Sequence, residues 1–253
     1  MKLTFLGTGT STGVPQLRCD CKVCRSTDPR DKRMRTSALL ETGDTVILID
    51  CGPDFYHQML ASGTKRIDAV LLTHSHYDHV GGIDDMRPFC HAMGGHLPVY
   101  CKRDVAADLR SRVPYCFATR LYPGVPTFAL NEIDRDPFSV NGIEILPLPV
   151  MHGKLEIRGY RIGSFAYITD CLTMPDKTIE RLKGTDTLVI NALRIKEHPT
   201  HMNLAQALDV IELVKPRRAF LTHLSHDMGL HATVQPTLPP GVRIAWDGLT
   251  IEL

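Results

Sequence analysis

At 253 residues the chain has room for one large domain or two small ones, and 43% hydrophobic with 23% charged residues fits a soluble globular protein with a real core. A formal net charge of +1 gives no global field to draw in nucleic acid or an anionic membrane. The apolar stretch within Met1 to Gly7 is too short for a secretory signal, and no apolar run approaches the roughly 20 residues that span a bilayer, so a cytoplasmic protein is expected.

In chain order, residues 2–6, 37–42 and 45–49 read as short strands, with Gly43-Asp44 a hairpin signal between the last two. A helix is expected over 53–62, with Pro53 at its start, then a buried strand over 69–72. Phe89 to Met93 reads either as a pocket wall or as plain helix packing. Helix 104–113, strands 142–147 and 160–169, helix 175–183 and strand 187–192 follow. Helix 203–214 is the clearest, with Leu204, Leu208, Ile211 and Val214 on one face and Asn203 placed to cap it. Strands at 218–222, 243–245 and 249–253 close the chain. Strands alternating with helices, with hairpins in each half, imply an α/β arrangement of mixed or paired sheets with helices outside, taken as a single domain over 1–253.

The densest chemistry is Thr73-His74-Ser75-His76-Tyr77-Asp78-His79, on a loop between the 69–72 strand and Gly81-Gly82. Histidines at i, i+2 and i+5 with Asp at i+4 offer nitrogen ligands to two borderline divalent ions and a hard oxygen to one. Further candidates fall at the ends of strand-like runs: His152 after Val150, Asp170 after Thr169, and His223 after Thr222, where Thr-His repeats the pattern of Thr73-His74. His201 lies in the loop before the Asn203 helix. Of the eight cysteines, Cys51, Cys90, Cys101, Cys116 and Cys171 are scattered among apolar residues and read as buried reduced thiols.

T-H-S-H-Y-D-H-V-G-G, then a lone His, an Asp after an apolar strand and a final T-H, resembles the metallo-β-lactamase-fold hydrolases over nearly the whole chain. The resemblance implies an α/β fold of the αβ/βα four-layer sandwich kind, with a dinuclear metal site at one edge. Carried over position by position, it implies His74, His76 and His152 on one catalytic divalent ion and Asp78, His79 and His223 on the other. Asp170 would bridge them, Zn or Mn being suited, and Asp50 would support the ligands from behind. Cys19-Asp20-Cys21-Lys22-Val23-Cys24 adds three soft ligands, one short of a tetrahedral zinc site, and His226 offers the fourth. That combination resembles the phosphoribosyl cyclic phosphodiesterase branch, whose extra structural Zn pins an N-terminal loop, here about 15–35, to the core. A pyrroloquinoline quinone biosynthesis branch carries such a cluster too but departs from the intact H-x-H-x-D-H run. Gly7 to Gly13 matches the family's glycine-rich first turn.

The expected activity is phosphoric diester hydrolysis of a small, cyclic, phosphoribosyl cyclic phosphate-like substrate. Two ions about 3.5–4 Å apart can share a water, lower its pKa and arm it against phosphorus. His201 stands with Asp78 in the expected catalytic set. Asp78, as a ligand, is not free to act as a base, and His201 is preferred over His198 as proton donor because related phosphodiesterases place a histidine there. Arg25, Arg30, Lys32, Arg33 and Arg35 read as an exposed basic loop rather than a phosphate contact.

Two alternatives belong to the same superfamily. A tRNA 3′-processing-type endonuclease would need an RNA-docking arm and a basic face, and the near-neutral charge argues against nucleic acid as partner. A glyoxalase II-type thioester hydrolase would carry a helical C-terminal domain, whereas only residues 224–253 follow His223. β-Lactam cleavage is disfavoured by Asp170 where the best-known zinc lactamases use cysteine, and diiron redox chemistry by His76 where that branch has an acid. No membrane partner is expected, and a homodimer is implied by analogy alone.

Overall fold

The computed structural model describes all 253 residues. Its strands sort their side chains between two different cores because successive residues point to opposite faces. The first sheet contains β1 (Lys2–Gly7), β2 (Ser37–Thr42), β3 (Thr45–Ile49), β4 (Ala69–Leu71), β5 (Leu97–Cys101) and β6 (Phe128–Glu132) in spatial order, with β14 (Thr250–Glu252) on the far side of β1. The second runs β13 (Val242–Ile244), β12 (Arg218–Thr222), β11 (Thr187–Asn191), β10 (Phe165–Ile168), β9 (Leu155–Ile162), β8 (Ile143–His152) and β7 (Phe138–Val140). Strands β3 to β6 are mutually parallel, as are β10 to β13, and the remaining pairs are antiparallel.

Ala38, Leu40, Ile47, Ile49 and Leu71 face the second sheet, meeting Tyr160, Phe165, Tyr167, Val189 and Phe220. Leu39, Leu48 and Val70, one step along, face outward onto α1 (Phe55–Ser62), α3 (Arg87–Met93) and α4 (Arg103–Arg112). On the other side Leu188, Ile190 and Leu221 pack against α5 (Asp176–Leu182) and α6 (Leu204–Val214). Helix, sheet, sheet, helix is the αβ/βα sandwich expected from the sequence. No helix is long and apolar enough to cross a membrane.

Several elements differ from the sequence reading. The run 160–169 is two strands, because Gly163 adopts a left-handed φ of 58° and turns β9 back on β10. The 142–147 strand extends to His152, since its pairing with β9 continues to Leu155. In α6 the capping box between Asn203 and Gln206 forms in both directions. Its buried face, however, is Ala207, Val210 and Val214, with Leu204, Leu208 and Ile211 half-buried beside it. Phe89 to Met93 belongs to a packed helix, with Cys90 in the core and the Phe89 ring 5.8 Å from Phe55.

Candidate metal centre

The C-terminal ends of strands deliver the chemistry, most of them parallel ones. Asp50 follows β3, His74 follows β4, Asp170 follows β10, His223 follows β12, and His152 ends β8. Asp50, Asp170 and His223 all take left-handed backbone angles, with φ of 61°, 54° and 57°. Such conformations are costly for non-glycine residues and here turn each side chain out of its strand toward a common point. The histidine motif is half loop and half helix, since Tyr77–Val80 forms the helical turn α2, which carries Asp78 and His79 inward. Gly52 makes that packing feasible: a Cβ there would lie 2.1 Å from the Asp78 carbonyl oxygen.

His74, His76 and His152 converge as one group, and Asp78, His79, Asp170 and His223 as another, the ligating atoms of each lying within 4.8 Å of one another. Asp170 also stands in a third such group with His152 and His201, so it lies between the two halves of the site. His79 Nε2 is 3.1 Å from Asp78 Oδ2 and 3.2 Å from Asp170 Oδ2, and His223 Nε2 is 3.2 Å from Asp170 Oδ1. All but His76 and His201 are buried.

The outward nitrogen of four of these rings is already committed. His79 Nδ1–H donates to Asp50 Oδ2 at 2.7 Å. Thr73 gives its hydroxyl proton to the same carboxylate at 2.8 Å, which leaves its oxygen to accept from His74 Nδ1–H at 3.0 Å. His152 Nδ1–H donates to the Thr200 carbonyl at 2.9 Å. Thr36, whose proton goes to the Gly9 carbonyl at 2.7 Å, accepts from His223 Nδ1–H at 3.1 Å. Every Nε2 lone pair therefore points into the site, the tautomer that metal ligation needs.

The donor set fits divalent ions. His74 Nε2 is buried without a hydrogen-bond partner, a state costing about 1–3 kcal/mol unless something else binds it, and His79 Nε2 faces the Asp78 and Asp170 carboxylates without hydrogen-bond alignment to either. Burial holds the His74 imidazole well below its ordinary pKa and brings His223 down to about 4, keeping both neutral. Burial works the same way on His79, but Asp170, Asp78 and Asp50 outweigh it and push this ring well above its ordinary value. Carboxylates that would trap a proton on a buried imidazole will trap a cation in its place.

A second cluster joins Cys19, Cys21, Cys24 and His226. The three Sγ atoms lie 3.1, 3.3 and 3.5 Å from one nitrogen, His226 Nδ1. One nitrogen cannot hydrogen-bond well to three sulfurs, whereas ordinary Zn–S and Zn–N bonds put such atoms about 3.5 Å apart around a tetrahedral ion. The Cys24 N–H draws the Cys21 thiol down to about 6, while burial raises Cys24 to about 11. Asp31 ties this loop down, accepting from Ser26 Oγ at 2.6 Å and from the His231 backbone N–H at 2.8 Å. The other five cysteines are buried and unpaired, as expected.

One reading of the sequence is corrected. Most of the basic stretch is not an exposed loop. Arg33 is buried and donates to Thr8 Oγ1 and the Ala245 carbonyl, Lys32 caps the Cys24 carbonyl, Arg30 pairs with Asp28 and Arg35 with Asp54. Arg25, beside Asp20, and Arg30, whose partner is Asp28 of the same loop, stay at the surface. Thr36 and Thr200, which fix two ring tautomers, carry no signal in the sequence, whereas Thr73 is marked by adjacency to His74.

Residues 45–224 match the model of the beta-lactamase superfamily domain. A solved structure described as a new diphosphatase from the PhnP family superposes with a TM-score of 0.94 at 39% identity, covering 100% of this chain and 96% of that one. A Porphyromonas gingivalis protein named octanoyltransferase is 46% identical over 252 residues, 98% of this chain but 51% of its own length. Coenzyme PQQ synthesis protein B of Rhodopseudomonas palustris is 30% identical over 168 residues, 56% of this chain and 53% of that protein. The chain thus spans about half the length of these two curated relatives. With the two-sheet sandwich, the strand-end histidines and these matches together, the chain belongs to the metallo-β-lactamase-fold hydrolases of the beta-lactamase superfamily, in the branch that holds the PhnP family.

Proposed function

We propose that the chain is a metal-dependent phosphoric diester hydrolase acting on a small, cyclic phosphodiester. His74, His76 and His152 would hold one divalent ion, Asp78, His79 and His223 the other, with Asp170 shared and the cysteine cluster holding a structural zinc. When bound, such a pair supplies Lewis acidity toward phosphoryl oxygens and an acidified water as nucleophile. The chain's own residues do the rest. Asp50 and Thr73 orient the rings from behind, and Asp78, fully engaged as a ligand, contributes charge rather than proton transfer.

The observation that carries the reading is His201, an imidazole set among the ligands without being needed as one. Its Nε2 is 3.0 Å from Asp170 Oδ1, at the inner face of the site, where a leaving alkoxide would need a proton. The PhnP-family diphosphatase supports phosphoryl chemistry in this fold. The octanoyltransferase name favours a second reading, cleavage of an acyl thioester by the same donor set.

The test is turnover by protein reconstituted with zinc or manganese. Bis(p-nitrophenyl) phosphate, cyclic ribose phosphates, a tRNA precursor and an octanoyl thioester would be compared. Metal-dependent diester cleavage is expected; thioester cleavage alone would overturn the proposal. His201→Ala should slow cleavage of alkyl diesters about 10²–10⁴-fold at unchanged metal content.

A further inference from the structure

His198 lies outside every metal-ligand group, yet its ring packs against His201 with centroids 4.9 Å apart. We propose that His198 is a positioning residue: its Nδ1 lone pair receives the Nδ1–H of His201 and thereby aims His201 Nε2 at the leaving oxygen. The inference deepens the reading of His201 as proton donor and rests on it.

The hydrogen bonds fix where the protons are. The Thr200 backbone N–H donates to His198 Nδ1 at 3.3 Å. A backbone N–H can only donate, so this nitrogen carries a lone pair and the ring's proton is on Nε2. His201 Nδ1 lies 3.1 Å from the same atom, so the proton between the two rings belongs to His201. Thr200 Oγ1, 2.9 Å from His201 Nδ1, is a second acceptor for the same His201 N–H, which it shares with His198 Nδ1. Burial, helped by the neighbouring His201, lowers the pKa of His198 and so favours the neutral ring that can accept.

The rest of the His201 ring is boxed by flat surfaces. It stacks on His223 at 5.1 Å with planes 14° apart and meets His152 edge-on at 4.5 Å. Stacking resists rotation about Cβ–Cγ but does not distinguish the two flipped orientations of the ring; the Nδ1 contacts, with the Nε2 contact to Asp170, select this one. A neutral acceptor holds the ring without placing another negative charge beside an already carboxylate-rich site. This is the role an acid plays in a Ser-His-Asp arrangement, here given to an imidazole.

Leaving-group dependence separates positioning from mere folding. Bis(p-nitrophenyl) phosphate expels a phenolate that needs little protonation, whereas diphenyl phosphate expels a poorer one. His198→Ala should cut diphenyl phosphate cleavage about 10–100-fold while changing bis(p-nitrophenyl) phosphate less than about threefold. His198→Asn, whose Oδ1 sits near the lost Nδ1, should restore most of the loss. An equal fall on both substrates, or no rescue by Asn, overturns the proposal. Long-range ¹H–¹⁵N spectra of the zinc-loaded wild type give a readout apart from activity. A proton on His201 Nδ1 and none on His198 Nδ1 is expected; a proton on His198 Nδ1 overturns it. Wild-type protein that cleaves neither diester refutes the proposed function, and the nitrogen spectra still decide the role of His198.

Discussion

Asp50 illustrates how much of this site is held by residues that touch no substrate. Its carboxylate accepts from the Thr73 N–H, the Thr73 hydroxyl and His79 Nδ1–H. Asp50→Ala would leave three buried donors unmatched and two rings free to turn. Metal affinity should fall about 10–100-fold, read by competition with a chromogenic chelator. In the cysteine cluster the unequal thiols give a second test. Zinc-free protein should be alkylated by iodoacetamide first at Cys21, with the rate rising as pH passes about 6, while Cys24, raised to about 11, stays unreacted. Mass spectrometry would show the order, and bound zinc should abolish it. The candidate ligands were legible because metal chemistry demands such residue types at strand ends, and the fold brings them together. Thr36 and Thr200 were not: His223 needs only a hydroxyl at the place of Thr36, His152 uses a backbone carbonyl that any residue would supply, and only the fold brings them together.

Among elements, the strands most legible in the sequence were those with β-branched runs, such as β3 and β11. β5 was obscured by Pro98, and β6, with Ala129 and Leu130 ahead of Asn131 and Glu132, lacks a two-residue period. Neither contributes a ligand, so the site could be read while part of its sheet could not. The join between β3 and α2 is more demanding. Gly52 lies against the Asp78 carbonyl, and Gly82 against Gly52, where a Cβ would come within 2.2 Å of the Gly52 oxygen. Gly52→Ala should push α2 away, costing about 1–3 kcal/mol of stability. It should also release ions from Asp78 and His79 at lower chelator concentration than wild type, seen by titration with metal analysis.

At the scale of the whole molecule, the beginning and end of the chain are laced together through buried polar groups. Asp247 accepts from the Met34 N–H and from Thr8 Oγ1, and burial raises its carboxyl to about 6. A raised acid means the folded chain holds this proton more firmly than the unfolded one. Its stabilising effect is complete below the ordinary carboxylate value and is lost as pH rises through about 6. Wild type should therefore lose about 2 kcal/mol relative to Asp247→Asn between pH 4 and 7, measured as the difference in urea unfolding at each pH. A matching slope in both proteins would refute the assignment. The two halves of the sandwich meet again at the ring of imidazoles and carboxylates. His74, His76, Asp78 and His79 hang from one sheet, and His152, Asp170 and His223 from the other. Any cation seated there is a rivet through both halves, and prying them apart means giving it up. Thermal resistance then becomes a gauge of divalent-ion supply, gaining about 1.4 kcal/mol per bound ion for each tenfold rise in free ion once the ring is saturated.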